Sequence, residues 1–239
     1  MKRTIFIGWD RREEQAFKVA FRSAHMTLRE SIPVHALVLA DLEMRGLYRR
    51  PTEHRVDGHS SILWDVISDA PMATQHACAR FLAPYLARDG WVLFMDGDVL
   101  VRSDLNELFE GLDPAKAVYC VHHHHEPPEG AKMDGQMQLR YARKNWSSVM
   151  AINASHPANA ALTLEMVNTV PGRDLHRFCW LPDALIGALD QAWNWLAGHS
   201  DPATDPKIVH FTEGTPDMPG YENAPYADEW RAHLERLAA

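Results

Sequence analysis

The chain has 239 residues, and 46% of them are hydrophobic, which is enough for a core and excludes general disorder. Its 24 basic and 32 acidic residues give a net charge of −8, which argues against a nonspecific binder of nucleic acid or anionic membranes. No apolar run approaches the roughly 20 residues of a membrane helix. The apolar part of the N-terminus is too short for a signal peptide, so we expect a cytoplasmic protein.

Apolar patterns predict alternating strands and helices along the chain. A strand at 4–8, a helix at 11–30 and a strand at 34–39 form the βαβ spacing that is typical of a parallel sheet. Residues 41–70 are polar and irregular and are expected to form a long loop at the sheet edge. The further predicted elements are a helix at 73–87, strands at 91–95, 117–121 and 148–152, a helix at 157–167, a strand at 207–211 and a helix at 225–237. With no repeat or linker, we expect a single α/β domain over 1–239.

The pair Asp96 and Asp98 follows the predicted strand 91–95, separated by Gly97. In open α/β sheets, ligands bind at the carboxyl ends of the strands. Two carboxylates one residue apart can converge on Mg²⁺ or Mn²⁺, and such an ion can hold a diphosphate. Asp-Gly-Asp is also ordinary turn chemistry. The hydrophobic strand before it favours the metal site, as does a helix after it that Ser103 or Asp104 would cap.

Histidines supply further candidates. His210 ends the predicted strand 207–211 and is either a half-buried strand residue or a third metal ligand, because neutral imidazole binds Mn²⁺. The run His122–His125 cannot serve one ion, since consecutive residues on a strand point to opposite faces. A histidine of this run that faces a sugar or phosphate is the more plausible interpretation.

Asp10 and Arg80 each have a structural and a functional interpretation. Asp10 ends the first strand and either caps the next helix or hydrogen-bonds a nucleotide base or ribose. Arg80 is either a solvated surface arginine or a contact to a diphosphate, for which bidentate geometry is useful.

The segment 122–147 is long, polar and rich in His, Pro and Gly, and long loops in compact domains are usually functional. We expect it to form the acceptor side of a cleft. Its basic residues would then meet an anionic or polyhydroxylated acceptor, or they are ordinary solvated charges. These residues are Lys132, Arg140, Arg143 and Lys144.

Taken in order, these segments resemble the GT-A-fold glycosyltransferases, and family 8 in particular. The matching order begins with the strand that ends in Asp10 and continues through 79–86, 92–105, 145–153, 182–185, 193–194 and 208–211. The similarity covers most of residues 4–215. Its specific part is the Asp-Gly-Asp segment within the ordered set.

The resemblance implies a Rossmann-type, central, mostly parallel sheet flanked by helices. It also implies transfer of a sugar from a nucleotide-sugar donor, usually UDP-linked, with Mn²⁺ or Mg²⁺ as the cofactor. The implied metal ligands are Asp96, Asp98 and His210, and the implied donor contacts are Asp10, Arg80, Asp96 and Gly214. The acceptor and the oligomeric state stay open, and the acceptor candidates are a glycan, a lipid, a protein, a small molecule or a nucleic acid.

The catalytic residues that the resemblance implies are Asn145, Asn153 and Asp183, near the sugar and the acceptor. Three stretches depart from the family pattern. The first is Asn145-Trp146-Ser147-Ser148, where the family usually has Asn-Ser/Ala-Gly. Pro182 stands where the family often has the Gln of Asp-Gln-Asp, and no Lys follows His210 within residues 211–221. Retaining stereochemistry therefore follows from the resemblance alone.

Two other functions use similar features. A nucleotidyltransferase shares this sheet and also binds a metal on acidic residues, but it normally has a Gly-rich loop after strand one, and residues 9–14 contain no glycine. A non-catalytic sugar-nucleotide or glycan-binding protein is the third interpretation, and a complete metal triad argues against it.

Overall fold

The computed structural model describes residues 1–57, 60–123 and 146–238. Numbered in chain order, its strands are β1 (Arg3–Gly8), β2 (Val34–Leu37), β3 (Thr52–Asp57), β4 (Ser60–Asp65), β5 (Ala70–Pro71), β6 (Trp91–Met95), β7 (Val99–Val101), β8 (Val118–Val121), β9 (Val149–Asn153), β10 (Ile186–Leu189), β11 (Trp195–Leu196) and β12 (Ile208–His210). The α-helices are α1 (Glu14–Thr27), α2 (Leu39–Met44), α3 (Ala83–Ala87), α4 (Leu105–Glu110), α5 (Leu164–Thr169), α6 (Gly172–His176) and α7 (Ala227–Ala238).

The central sheet has six strands in the order β10-β8-β9-β6-β1-β2. Strand β9 runs antiparallel to its neighbours β6 and β8, whereas the other neighbouring pairs are parallel. The carboxyl ends of β1, β6 and β8 therefore meet at one edge, which is where such sheets bind ligands. The predicted α/β class with a mostly parallel sheet is confirmed.

Strand β6 is the centre of the core, and all five of its residues are buried. Because side chains alternate along a strand, Val92 and Phe94 pack in one hydrophobic layer, while Leu93 and Met95 pack in the other. Helix α1 covers the second layer with a stripe of small residues that includes Ala20 and Ala24. Burial on both faces explains why β6 reads as a continuous apolar run.

A second sheet, β11-β12-β7, lies beside the central one. Strands β7 and β12 are antiparallel, and their register sets His210 opposite Val99. The amide of Phe211 also donates to the carbonyl of Asp98 at 3.0 Å. This pairing brings the end of β12 to the turn that follows β6, although the two segments are far apart in the sequence.

The expectation of an irregular loop over 41–70 was wrong. This stretch contains the end of α2 and an antiparallel sheet, β3-β4-β5. The side chains of β3 from Thr52 to Val56 are exposed, so no apolar alternation marks the strand, and backbone pairing with β4 holds it. A buried ion pair joins Arg50 to Asp65, with Nη2 2.5 Å from Oδ2. Arg50 also donates to the carbonyls of Val167 and Val170 at 2.7 Å, and these bonds anchor the sheet to the body of the protein.

Three predicted helices are shorter or split. The helix at 11–30 begins with a 3₁₀ turn, Arg11–Glu13, before α1, and α1 ends at Thr27. The helix at 157–167 is a 3₁₀ turn, Pro157–Ala161, followed by α5. The helix at 73–87 is confined to a 3₁₀ turn, Ala79–Leu82, and α3.

Other predicted boundaries agree more closely with the structure. Strand β6 matches the predicted 91–95, and α7 covers the closing helix. Asp104 caps α4 by accepting a hydrogen bond from the Asn106 amide at 3.0 Å. Residues 124–145, with the four basic residues of the predicted acceptor loop, lie outside the described residues. None of the helices in the described ranges is both long enough and apolar enough to cross a bilayer.

Candidate functional site

Asp96, Asp98 and His210 converge at the carboxyl edge of the central sheet. Each offers one ligand atom, and these atoms all lie within 4.8 Å of one another. Asp96 directly follows β6, Asp98 precedes β7 and His210 ends β12, so all three positions are set by strand pairing. Two carboxylates and an imidazole are a donor set that suits Mn²⁺.

The turn between the two aspartates needs its glycine. A Cβ on Gly97 would lie 2.5 Å from the carbonyl oxygen of Gly8, at the end of β1. A side chain at this position would therefore push the Asp-Gly-Asp turn away from the sheet edge. Gly8 is restricted in the same way, since a Cβ there would strike the ring of His76 at 2.4 Å.

The Asp96 carboxylate is held by two cationic or polar partners. Arg80 binds it in a bidentate manner, with Nη2 2.8 Å from Oδ1 and Nη1 3.2 Å from Oδ2, and Nε2 of His76 lies 3.1 Å from Oδ1. Burial alone raises the pKa of Asp96, but the Arg80 guanidinium and the His76 ring hold it below its usual range. Asp96 is therefore ionised at neutral pH without a bound cation.

Arg80 is itself buried, so the interpretation as a solvated surface arginine was wrong. Its other hydrogen bonds go to the carbonyls of Ala77 and Ser147, and its guanidinium lies 5.0 Å from the centre of the Phe94 ring. The Ser147 hydroxyl also forms a 2.7 Å hydrogen bond with Nδ1 of His176. Burial lowers the pKa of His176 to about 3, so that ring is neutral.

His210 lies between Asp98 and Asn194. Its Nε2 is 3.2 Å from Oδ1 of Asp98, and its Nδ1 is 3.0 Å from Oδ1 of Asn194. Burial alone lowers the pKa of His210, but the charges of Asp98 and Asp96 outweigh burial and raise it above its ordinary value. The ring thus sits where positive charge is favoured.

The residues present fit a divalent cation. Oδ1 of Asp98 is buried and accepts no hydrogen bond from any described residue, although it faces Nε2 of His210. A buried carboxylate oxygen without a donor is costly unless a cation satisfies it. An ion bound between Asp98 and His210, with Asp96 beside it, would satisfy that atom.

A cleft of about 730 Å³ opens over this group, a size within the range of small-molecule sites. Its walls include Glu13 after β1, the 65–74 segment, and Gly172, Arg173 and His176 of α6. Burial raises the pKa of Glu13 to about 7, with help from the nearby carboxylates, above all that of Asp98. The floor of the cleft is therefore strongly acidic.

Asp10 and Gly214, which were predicted to contact the donor, make contacts with other residues of the protein. Asp10 is buried and caps the following 3₁₀ turn, accepting hydrogen bonds from Arg12 at 2.8–3.1 Å and from the Gln75 amide at 2.9 Å. Gly214 packs against Tyr221, whose ring would lie 2.4 Å from a Cβ at that position. Neither residue is among those that line the cleft.

Two of the residues predicted as catalytic lie at the opposite edge of the sheet. Asn153 ends the antiparallel β9 opposite Trp91, at the amino end of β6, about 13 Å along the strand from the Asp96 end. Asp183 precedes β10, which runs parallel to β8, so it also lies at the amino edge. The catalytic roles predicted for Asn153 and Asp183 do not fit these positions, and Asn145 lies outside the described residues.

The sequence reasoning missed several residues that build the site, namely His76, Asn194, His123, Glu13 and Arg173. His76 and Asn194 come from segments without a recognisable strand pattern. Their signal was weak, since a buried His or Asn has no periodicity of its own. His123 belongs to the run His122–His125, for which the sequence favoured a contact to a sugar or phosphate and gave no indication of the contact to Asn194.

Comparison with solved structures places the fold. The galactosyltransferase LgtC, in complex with donor and acceptor sugar analogues, is similar with a TM-score of 0.61 and 16% identity, over 99% of this chain and 96% of that chain. The bifunctional glycosyltransferase WbbM has a TM-score of 0.58 and 14% identity, over 98% of this chain and 49% of that chain, so this chain spans about half the length of WbbM. The glycosyltransferase GlyE of Streptococcus pneumoniae TIGR4 has a TM-score of 0.59 and 12% identity, over 98% of this chain and 61% of that chain. At these identities the similarity shows the fold alone, which is that of the GT-A glycosyltransferases.

The family of the chain is shown by a similar protein and not by a family model. No family model matches the chain. Protein CDI of Arabidopsis thaliana is 39% identical over 239 residues, which cover 97% of this chain and 85% of that protein. The chain therefore belongs to the family of Protein CDI.

Proposed function

We propose that this chain is a metal-dependent glycosyltransferase of the family 8 type, formed by a single domain over residues 1–239. It transfers a sugar from a nucleotide sugar, with UDP as the leaving group, to an acceptor. The observation that carries this function is the convergence of Asp96, Asp98 and His210 at the carboxyl edge of a GT-A-like sheet, directly below a cleft.

The ligand atoms divide into two kinds. Asp98 and His210 have the ligand atoms with fewest competing protein contacts, whereas Asp96 already receives hydrogen bonds from Arg80 and His76. A bound Mn²⁺ or Mg²⁺ would supply Lewis-acid stabilisation of the charge on the departing diphosphate. Asp98 and His210 would hold that cation, and Asp96 would fix its position relative to β6.

Two basic side chains also line the cleft that we assign to the donor. Arg80 and Arg173 are the arginines that line the described part of the cleft, and the lining there includes no lysine. Arg80 is committed to Asp96 and to backbone carbonyls, whereas Arg173 is exposed. We assign Arg173 to the diphosphate, in place of the lysine that family 8 carries after the metal-binding histidine.

The acceptor side of the cleft is assigned to the 122–147 segment. His123 and Trp146 at its two ends lie close together, with the Trp146 indole N–H donating to the His123 carbonyl at 3.3 Å. The two ends of the segment therefore lie near Asp96, Asp98 and His210, which we call the metal group. Its basic residues, from Lys132 to Lys144, would meet an anionic or polyhydroxylated acceptor.

Donor hydrolysis without an acceptor provides the test. The full-length protein is incubated with a panel of nucleotide sugars, with Mn²⁺ or with EDTA, and the released nucleoside diphosphate is measured. We expect Mn²⁺-dependent release of UDP from a UDP-sugar, and the anomeric configuration of the product would report retention. Binding of a UDP-sugar without turnover would indicate a non-catalytic binding protein, and pyrophosphate release from UTP with a sugar phosphate would indicate a nucleotidyltransferase.

A further inference from the structure

A buried chain of hydrogen bonds runs away from the metal group. Nδ1 of His210 is 3.0 Å from Oδ1 of Asn194, and Nδ2 of Asn194 is 3.0 Å from Nε2 of His123. The Asn194 amide also donates to Oγ of Ser148 at 2.9 Å. Asn194 is fully buried and His210 is 4% exposed, so these contacts are shielded from water.

The chemistry of each atom determines which partner donates and which accepts in these hydrogen bonds. The carbonyl oxygen of an asparagine only accepts hydrogen bonds, so Nδ1 of His210 must carry the proton. The amide nitrogen only donates, so Nε2 of His123 must carry a lone pair. Burial lowers the pKa of His123 to about 4, which agrees with a neutral ring that accepts there.

With its proton on Nδ1, a neutral His210 has its lone pair on Nε2. That atom is the one 3.2 Å from Oδ1 of Asp98, which accepts no hydrogen bond from the described residues. We propose that Asn194 and His123 are positioning residues that hold His210 in the tautomer whose free Nε2 faces the cation site. This role rests on the proposed metal-dependent function.

His122 and His123, the two described residues of the histidine run, have different contacts. His123 faces inward to Asn194, whereas the ring of His122 stacks on Trp146 with centroids 3.9 Å apart and planes within 2°. Neighbouring residues of an extended segment point to opposite sides. His123 therefore acts on His210 through Asn194, and His122 has a separate role at the base of the 122–147 segment.

The first experiment reads the tautomer without metal. Two-bond ¹H–¹⁵N correlation spectra of the ¹⁵N-labelled full chain in EDTA are recorded at rising pH, until the His210 ring is neutral. The His210 signals are identified by their loss in the His210→Gln variant. We expect the proton on Nδ1, and a proton on Nε2 would overturn the proposal, because the Asn194 amide would then have the opposite orientation.

The second experiment measures Mn²⁺ affinity by calorimetry, with folding checked by circular dichroism. Loss of such outer contacts typically weakens metal binding about 10- to 100-fold, and we expect this for Asn194→Leu and His123→Phe. His123→Gln supplies an oxygen that accepts from Asn194, so it should bind Mn²⁺ more tightly than His123→Phe. The control is His25→Ala, on the exposed face of α1, which should match the wild type.

The possible results distinguish failure of the positioning role from failure of the proposed metal-dependent function. Wild-type affinity in folded His123→Phe, or equal affinity in His123→Phe and His123→Gln, would overturn the positioning role while the metal site stands. If Asn194→Leu does not fold, the comparison of His123→Phe with His123→Gln still tests the positioning role. If the wild type binds no Mn²⁺, the proposed function fails, and the tautomer of metal-free His210 still decides the orientation of Asn194.

Discussion

Arg80 and Asp96 form a bidentate ion pair beneath the cleft, with nitrogen–oxygen distances of 2.8 and 3.2 Å. The two side chains are only 7% and 14% exposed. Asp96 is therefore neutralised by the protein, whereas Oδ1 of Asp98 faces only Nε2 of His210 among the described residues, at 3.2 Å and without a well-aligned hydrogen bond. The two aspartates of one short motif thus have different roles, the first chiefly structural and the second chiefly available to a ligand.

Arg80→Ala is expected to destabilise the fold. Removing one partner leaves the buried Asp96 carboxylate without its main counter-charge, which typically costs about 3–5 kcal/mol. Urea denaturation gives the free energy of unfolding. Lys2→Ala is the control, because its pair with Asp89 is exposed on both sides and such pairs contribute about 0–1 kcal/mol. A similar small loss in both variants would show that the buried pair is not important for stability.

Asp98→Asn is expected to abolish Mn²⁺-dependent release of UDP and to leave the fold intact. The variant removes a charge that would hold the cation. It relieves repulsion among the carboxylates of the cleft floor but also removes the ion-pair partner of His210, so the melting temperature without metal should not fall at a pH where the His210 ring is neutral. Asp89→Asn is the matched control, since Asp89 pairs only with the exposed Lys2 among the described contacts. Full Mn²⁺-dependent activity in Asp98→Asn would remove Asp98 from the metal site.

Glu13 should make stability depend on pH in the absence of metal. Its pKa is about 7 in the folded protein and 4.5 ordinarily, so its contribution is fully present below 4.5 and is lost as pH rises through 7. In EDTA, Glu13→Gln should therefore melt at a higher temperature than the wild type above pH 7 and at the same temperature below pH 4.5. The control, Glu14→Gln, changes a neighbouring carboxylate that lies on the exposed face and pairs with Lys18. A pH-independent difference between Glu13→Gln and the wild type would contradict this account.

Gly97→Ala is expected to destabilise the protein by about 1–3 kcal/mol, as overpacking usually does. The new Cβ would meet a backbone oxygen, that of Gly8, at 2.5 Å, and backbone atoms cannot move aside easily. Gly111→Ala is the control, because its Cβ would have only ordinary contacts at 3.7 Å or more and its φ is −82°. Equal unfolding free energies for the two variants would show that the turn has more room than the structure indicates.

The sequence by itself determined the central strand and the residues that end it. The continuous apolar run at 91–95 required burial on both faces, and the carboxylates after it had to lie at the carboxyl edge of the sheet. The sequence left two interpretations for His210 at the end of its strand, a half-buried strand residue or a third metal ligand, and the family resemblance implied the second. The sequence pattern did not predict the β3-β4-β5 sheet, because β3 has no buried apolar face and is held by backbone pairing with β4.

Only the tertiary structure decided which polar residues reach that edge. Asn153 ends β9, and a local pattern does not specify that this strand runs antiparallel to its neighbours. Asp183 precedes β10, a strand that the sequence did not predict. His76 contacts Asp96 and Asn194 contacts His210, while His123 contacts Asn194, and the three residues come from separate segments. Their hydrogen bonds exist because burial removes water and leaves each polar atom to find a partner in space, and that requirement leaves no periodic mark on the sequence.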